Sequence, residues 1–400
     1  MVGLCEMRLM QHFCFKSRLR GLRLVPMKKF NLFLLGLLLF SFADAKEDEE
    51  SIQAAQMLES NTLIEKIAIG SCHNQKTSRT SPIWKHMAEE KPNLVILMGD
   101  NVYADTYDPD EFRKAYRKLK AIPSFQSLFK SIPMLFIWDD HDYGLNDDGR
   151  DEHPNREQAQ RIFVEELQVP TDRRVWKEEG IYDAYVFGPE GKQTQIILLD
   201  TRSFRSPLKL HREGRRKTVE GAKLGKYVPN NDSESTLLGK EQWNWLETQL
   251  RIPAQLRVIV SSIQVLSNEH GWEAWGNFPH ERERLFRLIR DTGAQGVLLL
   301  SGDRHMSEFS RLPISAPLSP GYPITEFTSS SINMSGFDNS MEPNPYRVSG
   351  TKPVCKNNYG LIQINWEEDD AQITLTIKDE KNNLVLSEDI RLSDLTYRHE

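Results

Sequence analysis

The chain has 400 residues, 39% of them hydrophobic and 27% charged, which is enough apolar content to bury a large core as one big domain or two. Of its 51 Lys+Arg and 57 Asp+Glu, the first 45 residues hold seven and two, which leaves 44 against 55, a net of −11. That balance argues against a general binder of nucleic acid or anionic membrane, and against any nucleic-acid-binding module. An anionic substrate would need local positive charge, from basic side chains or from metal ions.

The N-terminus reads as a targeting segment. Met1 to Pro26 has no apolar period, whereas Met27-Lys28-Lys29-Phe30 is a short basic start followed by an apolar run from Leu32 to Phe42 and a small-residue end at Ala43-Asp44-Ala45. This pattern predicts a secretory signal peptide cleaved after Ala45, with Met27 as the true start. The run of 11 residues is too short to span a bilayer, so no transmembrane anchor is expected. The expected product is exported, periplasmic or extracellular, with a flexible start over 46–62 and one domain over 63–400. Two cysteines remain after such processing, Cys72 and Cys355. In an exported protein the default is a disulfide between them.

From Glu65 a repeating unit appears. Glu65–Cys72, Asn93–Asp100 and Met134–Trp138 read as short apolar strands. Between them, a helix opens at Ser81-Pro82 with Ser as N-cap and Pro at the first helical position, and a second runs over Asp110–Lys120. The pattern resumes with strands at Gln195–Asp200, Arg257–Ser262 and Gly296–Asp303 and helices at Lys240–Leu250 and Glu281–Asp291. All-apolar strands alternating with helices predict an α/β protein whose sheets are covered on both faces. The C-terminal segments Leu361–Trp366, Gln372–Lys378 and Leu384–Ile390 alternate apolar and polar residues around a turn at Glu380–Asn383, which predicts antiparallel strands finishing the sandwich. Thr201–Ser235 is a long loop rich in Arg, Lys and Gly, with Arg202, Arg205, Lys209, Arg212, Arg215, Arg216 and Lys217 available to steer an anion or simply to solvate a surface.

Several strands end in a potential metal ligand: Cys72, Asp100, the run Asp139-Asp140-His141, and Asp303 with His305. In open α/β sheets the ligand crevice lies at the carboxyl ends of the strands, so these distant residues should converge. Taken singly each has a plainer reading: a buried small hydrophobe for Cys72, a turn residue for Asp100, a salt bridge beside a satisfied histidine for Asp303 and His305. The run Trp138-Asp139-Asp140-His141-Asp142 is harder to explain that way. Adjacent carboxylates beside an apolar strand repel one another unless a cation sits among them.

The stretches "IGSC", "VILMGDNVYAD", "IPMLFIWDDHDYGLND", "LLDTRSFR", "LLGKEQWNWLETQL", "SGDRH" and "EFTSSSIN" stand in the order found in the alkaline phosphatase D-like (PhoD-like) metallophosphatases, and from about Lys66 onward the chain resembles that family. The resemblance implies a four-layer αββα metallophosphatase sandwich with mixed β-sheets. It also implies metal ligands at Cys72, Asp100 (bridging), Tyr103, Asp140, Asn146, Asp303 and His305, with His141 as the motif histidine. The implied cofactor is a binuclear centre, Fe3+ with Ca2+, or with Mn2+ or Zn2+ as substitutes. Gln264 falls where related enzymes present another ligand. Thiolate, phenolate and carboxylate suit a trivalent or soft transition metal, and an oxygen-rich partner site suits calcium or manganese. Two ions roughly 3.5–4 Å apart clamp a phosphoryl group and activate a water as hydroxide. On this reading His141 stabilises charge or protonates the leaving oxygen, Asn101 offers a donor to a phosphoryl oxygen, Arg202 binds substrate charge, and Trp272 walls the pocket. A ligand role for Cys72 also excludes the Cys72–Cys355 disulfide. The implied activity is hydrolysis of small phosphomonoesters or phosphodiesters. A dedicated phosphodiesterase, and a non-catalytic binding protein keeping the fold, stand as alternatives.

Overall fold

The computed structural model describes residues 53–77, 81–212, 222, 224–335 and 339–397. The expected signal peptide and residues 46–52 of the expected flexible start lie outside these residues, as do Arg215, Arg216 and Lys217; within the rest of that start, the Ala55 amide donates to the Phe129 carbonyl at 2.8 Å. In chain order the elements are β1 (Lys66–Gly70), α1 (Ile83–Glu89), β2 (Leu94–Met98), α2 (Pro109–Lys120), α3 (Pro123–Ser131), β3 (Met134–Ile137), α4 (Arg156–Glu166), β4 (Asp183–Phe187), β5 (Thr194–Leu198), α5 (Gly239–Leu250), β6 (Leu256–Val260), α6 (Pro279–Asp291), β7 (Val297–Ser301), β8 (Ser307–Leu312), β9 (Ile324–Ser329), β10 (Asn358–Asn365), β11 (Gln372–Asp379) and β12 (Leu384–Arg391).

They form two six-stranded mixed sheets, ordered β12-β11-β10-β1-β2-β3 and β4-β5-β6-β7-β9-β8. In the first, β1, β2 and β3 run parallel and the C-terminal meander joins through the antiparallel pair β1–β10. In the second, β5, β6, β7 and β9 run parallel between antiparallel edge strands β4 and β8.

The period-2 alternation of the second sheet decides the layering. Ile196, Leu198, Leu298 and Leu300 pack with the residues of the first sheet and of α1–α4. Ile197, Leu199, Val297 and Leu299, on the opposite face, pack under Trp243 and Leu246 of α5 and Leu285 and Phe286 of α6. The result is the four-layer αββα sandwich expected from the sequence. Both faces of the central strands are covered, which is why those strands read as unbroken apolar runs. Each fully buried Leu, Ile or Val contributes roughly 1.5–3 kcal/mol relative to exposure, so the apolar strand interiors form a rigid frame, and their carboxyl ends are held in fixed register.

Candidate metal centre

At those carboxyl ends the chain leaves the β conformation abruptly. Cys72 (φ 58°), Asp100 (φ 50°), Asp303 (φ 63°) and His305 (φ 52°) all occupy the left-handed region that non-glycine residues seldom enter. Strain of this kind costs on the order of 1–3 kcal/mol per residue and persists where the surroundings over-determine it. Here it turns four side chains from the ends of three strands toward one point. The crowding that results requires Gly302: a Cβ there would meet Ser71 Oγ at 2.6 Å and the Met98 carbonyl at 2.8 Å. β7 can therefore end against β1 and β2 only with glycine at this position.

Two groups of donor atoms emerge, Cys72/Asp100/His305 and Asp100/Asp140/His141, each with its atoms within 4.8 Å of one another. Asp100 belongs to both. Cys72 Sγ lies 3.3 Å from Asp100 Oδ2 and Tyr103 Oη donates to the same oxygen at 3.1 Å, while Tyr103 Oη and His305 Nε2 are 2.9 Å apart. Tyr103 therefore joins the first group. Asp100 Oδ1 is buried with no hydrogen-bond partner. Ser330 fixes two members at once, with its Oγ 3.0 Å from Cys72 Sγ and accepting from the His305 amide at 2.8 Å. Asp303 stands beside the two groups with Arg304 Nη1 3.5 Å from its carboxylate.

The electrostatics are those of a cluster with more buried acidic groups than positive charge to balance them. Burial raises the pKa of Asp100 far above the usual range, and Asp140, Asp142 and Asp303 add to the rise against the opposing His141. Burial likewise pushes up the Cys72 thiol, with Asp100 adding to it, and the Tyr103 phenol. Asp303 rises to about 7, chiefly through burial and against Arg304. Burial, helped by the nearby Arg304 and His141 charges, lowers His305 to about 3 and keeps its imidazole neutral, the form that ligates a metal. Burial alone would lower His141, but Asp140, Asp100 and the bond from its Nδ1 to Asp105 raise it to about 11. Unpaired carboxylates, an orphaned carboxylate oxygen, a thiol, a phenol and a neutral imidazole around one shared aspartate fit a pair of cations.

Other expected site residues lie elsewhere. Asn101 is buried and spends both amide hydrogens internally, on the Ile137 carbonyl at 2.8 Å and on Asp142 Oδ2 at 2.5 Å, so it ties β2 to β3 and has no donor for a substrate. Arg202 is fully buried, with its guanidinium bound to Asp139 and Glu273, so it is not a solvent-facing substrate contact. Gln264 points away from the two groups, its amide donating to Glu308 and Thr328 at 3.0 Å each within the second sheet. Asn146 is exposed, one residue before Asp147, whose amide donates to Asp140 Oδ2 at 2.7 Å. Trp272 is half-buried with the Arg304 guanidinium 5.4 Å from its ring, one residue from Asp303. Cys72 and Cys355 are not joined in a disulfide.

Sequence reasoning missed Asp105, Ser330 and the pair Arg304–Glu342. Asp105 and Ser330 sit inside the quoted stretches "GDNVYAD" and "EFTSSSIN", so motif position was the available signal. Asp139, which had no assigned role, accepts from Arg202 and from Ser262 Oγ at 2.6 Å, while Asp142 caps the turn by accepting from the Asp139 amide at 2.6 Å.

A two-sheet αββα sandwich with polyvalent ligands at the strand ends is the metallophosphatase fold. The family model for PhoD-like phosphatases matches residues 67–381, well over half of the chain, and the protein belongs to that family. A curated relative, alkaline phosphatase D of Bacillus subtilis (strain 168), is 24% identical over 280 residues, which cover 58% of this chain and 44% of the relative. The chain thus spans less than half the length of that relative. Among solved structures, one titled "Structure of PhoD" superposes with a TM-score of 0.60 at 19% identity, covering 86% of this chain and 74% of the other. A purple acid phosphatase from yellow lupin superposes at 0.51 with 11% identity, covering 84% and 55%. At these identities the likeness is one of fold. Among the described residues no helix is long and apolar enough to cross a membrane.

Proposed function

We propose that the protein is an exported, metal-dependent phosphoesterase acting on small phosphomonoesters and phosphodiesters. The observation that carries this reading is Asp100, a buried aspartate shared by two ligand groups and left with an orphaned oxygen. Cys72, Asp100, Tyr103 and His305 would hold one cation, with an anionic donor set (thiolate, carboxylate, phenolate) that suits trivalent Fe3+. Asp100 and Asp140 would hold the other, where an oxygen-rich set favours Ca2+ or Mn2+. Once bound, such a pair supplies charge to the phosphoryl oxygens and lowers the pKa of water.

The chain's own contribution is orientation and a proton. His141 stacks on Tyr103 with ring centroids 4.0 Å apart and binds Asp105 through Nδ1, which fixes the ring and leaves Nε2 as its second nitrogen. Protonated, it donates to the leaving oxygen and stabilises charge on the phosphate. Asp139 and Asp142 hold the turn that presents Asp140 and His141.

Elemental analysis of the purified protein, combined with p-nitrophenyl phosphate and bis(p-nitrophenyl) phosphate assays, tests the proposal. Hydrolysis of both esters by protein containing iron and calcium is expected. Activity on the diester alone would make it a dedicated phosphodiesterase, and no turnover of either would leave a binding protein. Active protein lacking both metals would overturn the assignment of ions. Export is checked by N-terminal sequencing of the secreted product, which should begin at Lys46.

A further inference from the structure

The long basic loop is not a free coil. Leu210 pairs with Tyr227 in an antiparallel bridge, the His211 amide donates to the Lys226 carbonyl at 2.8 Å, and the Val228 amide donates to the Lys209 carbonyl at 2.9 Å. The returning side is pinned to the loop before Trp272 by the Gly225 and Tyr227 amides, which donate to the His270 and Gly271 carbonyls at 2.8 Å. No Cβ is possible at Gly225, where it would lie 2.1 Å from the Gly271 oxygen. These contacts dock the described ends of the loop, residues 207–212 and 224–228, as an arm beside the metal centre.

The arm delivers one cation to the edge of that centre. Lys226 Nζ is 3.2 Å from Asp147 Oδ2, which also accepts from Tyr227 Oη at 2.5 Å, and the backbone amide of the same Asp147 donates to Asp140 Oδ2 at 2.7 Å. Two contacts and one residue's length place the ammonium within about 10 Å of Asp140, close to the Debye length at 0.1 M salt. Its side chain keeps 41% of its exposure. Arg202 and Arg205, by contrast, are wholly buried against Glu273. Lys209 and Arg212 are exposed on the same arm, and between Pro207 and Val228 the sequence holds seven Lys/Arg against two Glu in an otherwise acidic chain.

We infer that Lys226 and its arm are a specificity element for phosphate esters that carry a second anionic group beside the scissile one. This rests on the phosphoesterase reading and narrows its substrate class. The second anion lies along the arm and takes a charge-assisted hydrogen bond from Lys226, while the scissile phosphate occupies the metal centre. Such a bond is strong enough to give about tenfold discrimination, weakened by salt because the ammonium is half-exposed.

Two chromogenic diesters with the same reacting group provide the test: the p-nitrophenyl ester of thymidine 5′-phosphate and the same ester bearing a 3′-phosphate. Metal-loaded protein should prefer the second by about tenfold in kcat/KM at low salt, with the preference shrinking as salt rises. Lys226→Ala should bring the ratio close to unity, Lys226→Arg should keep it, and the remote exposed Lys118→Ala should leave it unchanged. The ratio is internal to each variant, so partial loss of metal or of folded protein cancels. Calorimetric binding of thymidine 3′,5′-bisphosphate against thymidine 5′-phosphate gives the same comparison without turnover. A Lys226-dependent preference in binding with no hydrolysis would support the arm's role and sink the phosphoesterase reading. A ratio that survives Lys226→Ala, or wild-type protein that turns over both esters equally and binds both nucleotides equally, would overturn the inference.

Discussion

Two clusters of buried charge lie side by side in this molecule and are solved differently. In one, Asp139 and Glu273 face the guanidinium groups of Arg202 and Arg205, all four residues essentially inaccessible, with Arg205 Nε 2.9 Å and Arg202 Nη1 2.7 Å from Glu273 oxygens. In the other, Asp100 and Asp140 are equally buried among a thiol, a phenol and two histidines, and among the described residues neither is ion-paired to a Lys or Arg. Burying a carboxylate is costly wherever it happens. The first cluster shows the fold supplying its own cation to Asp139, one residue away in sequence from Asp140. In the second the chain's own counter-charge is the His141 imidazolium, one cation against Asp100 and Asp140, so the remaining positive charge has to come from outside the chain.

That contrast is broken most directly at Asp100. Asparagine tolerates a left-handed backbone and can still accept from Cys72 and Tyr103, so Asp100→Asn keeps the shape and removes the charge. Turnover should fall by roughly a thousandfold or more, since several kcal/mol of charge stabilisation is lost. The metal-free variant should nonetheless unfold at a higher temperature than metal-free wild type, because one repelling carboxylate is gone. A variant that keeps its activity would sink the site; one that is inactive and less stable would mean that Asp100 is structural.

Arg202→Met makes the opposite change, removing an internal cation from the arginine-paired cluster. Asp139 loses its guanidinium and Glu273 keeps only Arg205, which should cost about 3–5 kcal/mol by chemical denaturation with or without metal present. Burial raises both carboxylates and Arg202 holds them down, so the loss should be smaller in acid, where they can take up protons. An unchanged unfolding midpoint would show that the pair carries no net stabilisation.

Most of the frame and the convergence at the strand ends could be read in the sequence, because central strands covered on both faces leave unbroken apolar runs that each end on a ligand type. β8 and β9 could not. Their buried faces include Glu308 and Glu326, which look like surface residues until their partners are known: Arg347 and Gln264 for Glu308, and the Val265 and Leu266 amides at 2.7 Å for Glu326. The site shows the same limit. Cys72, Asp100, Tyr103, Asp140, His141 and His305 converge as the motifs suggested, whereas Arg202 and Asn101 bear the right chemistry and point inward. Residue type announces what a side chain can do, but whether its donors are already spent depends on contacts 36 to 71 positions away.

The difference between the clusters also has a pH signature. Asp142 and Asp303 are each raised from an ordinary 3.8 to about 7, in both cases mainly by burial. A raised folded value stabilises the protonated form, so the contribution is complete below pH 4 and is lost as pH climbs through 7. Metal-free protein should therefore lose on the order of a few kcal/mol between pH 5 and pH 8. Cations favour the ionised carboxylates beside them and should flatten part of that slope. Melting curves of chelated and loaded protein at the two pH values check it: the Asp303 part of the slope should flatten on loading while the Asp142 part, set inside the turn, remains, and fully parallel behaviour of the two forms would argue against an ion at Asp303.

The smallest expected effect sharpens the comparison at its most local point. Ser330 belongs to neither charge cluster, yet its hydroxyl meets Cys72 Sγ and the His305 amide, tying β9's end to two ligands from different strands. Ser330→Ala removes one neutral hydroxyl and no charge, so stability should drop by only about 1 kcal/mol. Groups that orient ligands nevertheless weigh on metal affinity by about ten- to a hundredfold, and for a single neutral contact the lower figure is expected. Competition with a chelator of known affinity would measure it, with unfolding run in parallel. A tenfold weaker metal with near-wild-type stability places the geometry of Cys72 and His305 under Ser330. Equal loss of both would mean that the hydroxyl merely fills its space in the core.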